Sequence, residues 1–179
     1  MKKKIIVILL ASAVILAGCS STKEVAKSIE TFDFTPAEMT DELKTNRLID
    51  FTAFDVVDTE EKAEKIATFG SITDIFNDDN GDTDAMIHYS FTYDSTTYNT
   101  SCISFFMDRN STAAAERYLY HIYSIASCID PSANTEEISS AIENGFNDNG
   151  FAIYKGKNFV LNASRSEKYF SANFTPSEN

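Results

Sequence analysis

The sequence predicts an α+β domain, an antiparallel sheet with helices packed on one face. Two neighbouring stretches, DAMIHYSFTYD and YNTSCISFFMD, alternate apolar and polar residues and are joined by the short connector Asp94–Thr97. A pair of segments with helical apolar spacing follows them, and a second hairpin-like stretch comes after that pair. Strands joined by tight turns, not by crossover helices, require antiparallel pairing.

The first predicted helix opens at FTPAEM. Thr35 suits the N-cap, Pro36 the first helical position, and Glu38 completes a capping box. Phe34 and Met39 stand where a hydrophobic staple closes, and the helix should run to Asn46, burying Met39 and Leu43. LIDFTAFDVVD, residues 48–58, reads as a strand whose phase slips near Phe54. Residues 59–76 read two ways, TEEKAEKIA as a short helix and FGSITDIF as a strand. In the next pair, Ile87, Tyr89, Phe91 and Tyr93 share one face, and Ile103, Phe105 and Met107 share another.

Residues 112–129 carry the longest apolar stripe, with Asn110 or Ser111 as cap and Pro131 as terminator. Asn134 with Glu137 opens another helix, which buries Ile138, Ala141 and Ile142 and stops at Asn144-Gly145. GFAIYKGKNFVLNA, residues 150–163, forms a hairpin turning near Gly156-Lys157. The chain thus divides into a leader over residues 1–18, a tether over 19–33, one domain over 34–163 and a partly ordered tail over 164–179. Val25, Ile29 and Phe32 have helical spacing, so part of the tether is expected to dock as a short helix.

The leader has its own logic. Lys2, Lys3 and Lys4 precede an apolar core over Ile5–Ala17, shorter than the roughly 20 residues a membrane-spanning helix requires. Leu16-Ala17-Gly18-Cys19 closes that core, and a serine-rich polar stretch follows. This junction resembles the lipobox of bacterial lipoproteins. The resemblance implies that Cys19 becomes an acylated first residue, holding the protein to the cell membrane on the side away from the cytoplasm. The order of elements resembles small uncharacterised bacterial lipoproteins, which carries no activity across.

Formal net charge is −12, with 27 acidic and 15 basic residues. The leader removes only lysines, so the mature chain is more acidic still. Such a surface excludes nucleic acid as a partner, because phosphates demand a basic patch.

Candidate chemistry is sparse. Cys102 and Cys128 could form a disulfide in an oxidising compartment, or remain separate buried thiols. His121 lies seven residues before Cys128, about 10 Å along a helix and too far to act as its base. The acidic run NDDNGDTD offers Asp78, Asp79, Asp82 and Asp84 as a weak Ca²⁺ site. Aligned as an EF-hand on Gly81, it puts Phe76 and Ile87 where oxygen ligands belong, so a turn at Asn80-Gly81 is the better reading. No GxSxG, zinc spacing or phosphate-binding glycine loop is present. No cofactor is implied. Tyr93, Tyr98 and Tyr120 form a candidate interaction patch. The expected role is therefore non-enzymatic binding of a protein, peptide or glycan. An accessory or inhibitor-like module on a surface enzyme ranks second, and an unrecognised hydrolase third.

Overall fold

The computed structural model describes residues 29–47, 49–58, 63–72, 87–109 and 113–178. Among them run α1 (Pro36–Arg47), β1 (Asp50–Asp58), β2 (Glu64–Ile72), β3 (Ile87–Asp94), β4 (Thr100–Asp108), α2 (Ala114–Ile129), α3 (Thr135–Asp148), β5 (Phe151–Lys155), β6 (Phe159–Arg165) and β7 (Tyr169–Pro176). The strands form one seven-stranded antiparallel sheet in the order β1-β2-β3-β4-β7-β6-β5. It consists of two meanders, β1 to β4 and β5 to β7, joined where β7 pairs with β4. The α+β class and the antiparallel sheet are as the sequence predicts.

Period-two patterning decides which face is covered. Ile87, Tyr89, Phe91 and Tyr93 on β3, Ile103, Phe105 and Met107 on β4, and Phe159, Leu161 and Ala163 on β6 are all buried. They meet Met39 and Leu43 of α1, Tyr118, Ile122 and Ile125 of α2, and Ile138, Ile142 and Phe146 of α3 in one core. Each such large apolar side chain contributes roughly 1.5–3 kcal/mol on burial. The opposite face of the sheet carries no helix among the described residues.

The capping box at α1 forms as its residues demand. The Glu38 N–H donates to Thr35 Oγ1 at 3.2 Å, and the Thr35 N–H donates back to Glu38 Oε2 at 2.7 Å. At α3, Asn134 Oδ1 accepts from the N–H groups of Glu136 and Glu137. At α2 the N-cap is Ala113, which makes no side-chain cap, while Asn110 and Ser111 lie outside the described residues.

Four expectations are corrected. Glu64–Ile72 is strand throughout, so the helical reading of TEEKAEKIA fails over its second half, where pairing with β3 outweighs the local propensity of Glu, Lys and Ala. The helix α3 does not stop at Asn144-Gly145 but continues to Asp148, because Phe146 has a place in the core. From Ile29 onward the tether is not helical, while Val25 lies outside the described residues: Phe32 donates its N–H to the Thr100 carbonyl and the Thr100 N–H donates to the Phe34 carbonyl, both at 2.8 Å. Most consequentially, residues 164–178 are no loose tail. They complete β6 and form β7, which lies between β4 and β6 and buries Phe170, Ala172 and Phe174.

These contacts give the domain two distinct ends. Phe32 and Phe34 are pinned at the start of β4, beside the turns at residues 95–99 and 156–158 and Ser177, which follows β7. At the other end Arg109 donates its N–H to the Lys168 carbonyl, closing β4 against the β6–β7 turn. The tether therefore enters one end of the sheet, and the β4–α2 connection leaves from the other.

Candidate functional site

The helix-free face is built from the outward positions of the same strands. In register across the sheet, Thr68 pairs with Ser90, Ser90 with Ser104, Ser104 with Asn173, Asn173 with Asn162, and Asn162 with Ile153. A parallel row runs His88, Phe106, Ser171, Ser164, Phe151. Between Glu64 and Asp94 at one end and Asp108 at the other, the outward positions of β3 to β7 carry no acid at all. In a chain of net charge −12 that is a neutral window.

Aromatic rings gather at the end of this window away from the tether. His88 stacks on Phe106 with ring centroids 4.8 Å apart, and Phe106 meets Tyr169 edge-on at 6.3 Å. Phe106 and Tyr169 are each 47 % exposed, with Phe151 at 44 % and Ile153 at 52 % along the β5 edge. Large apolar side chains facing water this openly, and clustered, mark a contact surface more often than scattered ones do. The Ser164 and Ser171 hydroxyls hydrogen-bond at 2.7 Å in the middle of the aromatic row. Near the tether end the face deepens into an open hollow of about 850 Å³, lined by Glu64, Thr92, Cys102, Lys155 and Val160 among others.

Sequence reasoning singled out other residues, and the structure separates them. Tyr93 and Tyr98 do come together, ring centroids 6.4 Å apart, beside an apolar slot of about 430 Å³ that Pro36, Ala37 and Ala67 also line. Tyr98 holds a left-handed φ of 63° at the end of a turn in which Asp94 Oδ1 accepts from the N–H groups of Thr96 and Thr97. Those two hydrogen bonds also hold the Asp94 carboxyl below its usual range. Tyr120 does not join this pair. Its hydroxyl donates to the Arg47 carbonyl and its ring packs edge-on to His121, so the three-tyrosine patch does not exist.

The two cysteines are likewise apart. Both thiols are free. Cys102 points from β4 to the helix-free side, where Ser104 is its hydrogen-bond partner at 3.4 Å, whereas Cys128 sits on α2 on the other side of the sheet. The proposed disulfide is therefore absent, because the sheet itself intervenes. Burial pushes both thiols above their usual range, which disfavours the nucleophilic thiolate.

His121 is fully buried with Tyr89 and Phe105 against it. Burial, with Arg117 one turn away, pushes its imidazole down to about 3, while burial pushes the Tyr89 hydroxyl well up. Both stay neutral, and the Tyr89 hydroxyl and His121 Nδ1 share a hydrogen bond of 2.5 Å. Neither lines the hollow beside Cys102 or the slot beside Tyr98. The pair ties α2 to β3 as a core polar link.

Asp78, Asp79, Asp82 and Asp84 lie outside the described residues. Among the described residues no cluster of three or more His, Cys, Asp or Glu could hold a metal ion, and no helix is long and apolar enough to cross a membrane. No protein-family model, curated protein or solved structure matches the chain.

The residues sequence reasoning missed are Phe106, Tyr169, Asn173, Asn162 and Phe151. Their alternation was available: Tyr169, Ser171 and Asn173 occupy the odd positions of a strand whose even positions are apolar. Which outward row each joins depends on non-local register, and that only the folded sheet reveals.

Proposed function

We propose that this protein is a lipid-anchored extracytoplasmic binding domain that engages its ligand through the helix-free face of the sheet. One observation carries the reading: the exposed rings of His88, Phe106 and Tyr169 cluster on a face that no helix covers among the described residues, at the edge of a stretch of outward positions without acid between Asp94 and Asp108. Acylation at Cys19, inferred from Leu16-Ala17-Gly18-Cys19, gives that geometry a direction. The ten Cα–Cα steps from Cys19 to Ile29 reach at most about 35 Å. Phe106 lies six residues along β4 from Thr100, about 20 Å from the end at which the tether enters. An anchored molecule would thus keep its tether end within about 35 Å of the bilayer, with the aromatic cluster about 20 Å further along the sheet. Nothing in this role requires a catalytic group.

Two substitutions test the two halves of the reading. Cys19→Ser should move the protein from the membrane fraction to the soluble fraction, and retention of the variant on membranes would count against the anchor. Phe106→Asp with Tyr169→Asp should abolish capture of the ligand from an envelope extract while the thermal transition stays within a few degrees of wild type. Undiminished capture would remove the face from consideration.

A further inference from the structure

We infer that the ligand of the helix-free face is an uncharged glycan chain lying across the strands. This rests on the reading above and names the chemistry of what the face receives. Three features of the face converge on it.

The first is charge. A neutral window in a strongly acidic protein accepts a neutral ligand without desolvating an unpaired charge. It offers no fixed cation field for an anionic polymer, since Lys155 alone stands among the outward residues of β5. The second is composition. The centre of the face is Ser90, Ser104, Ser164 and Ser171 with Asn162 and Asn173. Serine is depleted at the cores of protein–protein interfaces, where aromatic residues, Met and Arg dominate. Hydroxyls and amides each donate and accept, which is what a polymer of secondary alcohols requires. The flanking rings of Phe106, Tyr169 and Phe151 offer flat apolar surfaces to the C–H faces of sugar rings.

The third is periodicity. The polar row Ser90, Ser104, Asn173, Asn162 advances one residue per strand, about 4.8 Å each time. That step is close to the length of one pyranose unit in an extended chain. Each sugar can therefore meet an equivalent polar position, with the aromatic row two residues away alongside it. An extended peptide would instead add to the edge of a sheet and use backbone groups. Across this face its side chains would meet no pockets of alternating character.

The test uses the full-length protein in detergent, titrated calorimetrically with chitotetraose, cellotetraose and laminaritetraose and with their disaccharides. At least one tetrasaccharide should bind saturably, its disaccharide about tenfold or more weakly. Phe106→Ala and Asn173→Ala should each weaken it by about tenfold with the fold retained by circular dichroism. Absence of saturable binding by all three series overturns the glycan inference. So does binding that Phe106→Ala and Asn173→Ala leave unchanged. If an envelope protein is captured in place of a glycan, and Phe106→Asp with Tyr169→Asp abolishes that capture, the glycan inference falls while the face remains the binding surface.

Discussion

Replacing Gly145 with alanine sets two principles against each other inside α3. Helix propensity alone favours alanine by about 1 kcal/mol. The packing points the other way. A Cβ added at Gly145 would stand 2.3 Å from the Phe151 carbonyl oxygen and 2.7 Å from both Cα and Cβ of Ala152. These are backbone and near-backbone atoms of β5, so no side-chain rotation relieves the contact and the strand itself must retreat. Overpacking of this kind costs about 1–3 kcal/mol, and a clash with backbone belongs at the upper end. Gly145→Ala should therefore destabilise the protein by about 2 kcal/mol net. Urea unfolding followed by circular dichroism reads this as a lower midpoint with unchanged slope. A variant as stable as wild type, or more so, would refute the close helix–strand contact. Because Phe151 and Ile153 ride on β5, the same variant should also loosen one edge of the binding face.

Three further outcomes concern His121, the α1 cap and β7. His121, held near 3 in the folded state against about 6.5 when exposed, takes up its proton on unfolding. Its stabilisation is complete above pH 6.5 and is lost as pH falls towards 3, by up to about 1.4 kcal/mol per unit. Stability measured from pH 6.5 to 5 should fall with that slope in wild type and stay nearly flat in His121→Gln; a flat wild-type profile would contradict the burial of the imidazole. Thr35→Ala should cost about 1 kcal/mol through loss of the capping box, read from the thermal midpoint, and no change would mean the box contributes nothing in solution. A chain ending at Ser166 removes β7 from between β4 and β6 and should lose its cooperative transition; a normal transition would show that β7 is dispensable.

Local signals were enough for α1, β3 and β4, whose caps and alternation are written in consecutive residues. Signals that compete with distant partners were not. Glu64–Ile72 has mixed local preference and becomes strand because β1 and β3 flank it. Gly145 reads as a helix stop by its chemistry, yet its structural reason is the approach of β5. β7 had the alternation of Phe170, Ala172 and Phe174, but its polar approach and terminal position suggested a tail; its place beside β4 depends on contacts more than 60 residues away in sequence. The binding face was hidden for the same reason. Tyr93 and Tyr98 are neighbours in sequence and could be paired by inspection, whereas His88, Phe106 and Tyr169 converge only through the register of three strands.

The decisive measurement compares the two sides of the sheet in living cells. A photo-crosslinking residue in place of Phe106 samples the helix-free face, and one in place of the exposed Glu143 samples the helical side. Binding through the open face predicts a discrete adduct from position 106 and none from position 143. Equal adducts from both positions, or an adduct from position 143 alone, would contradict it.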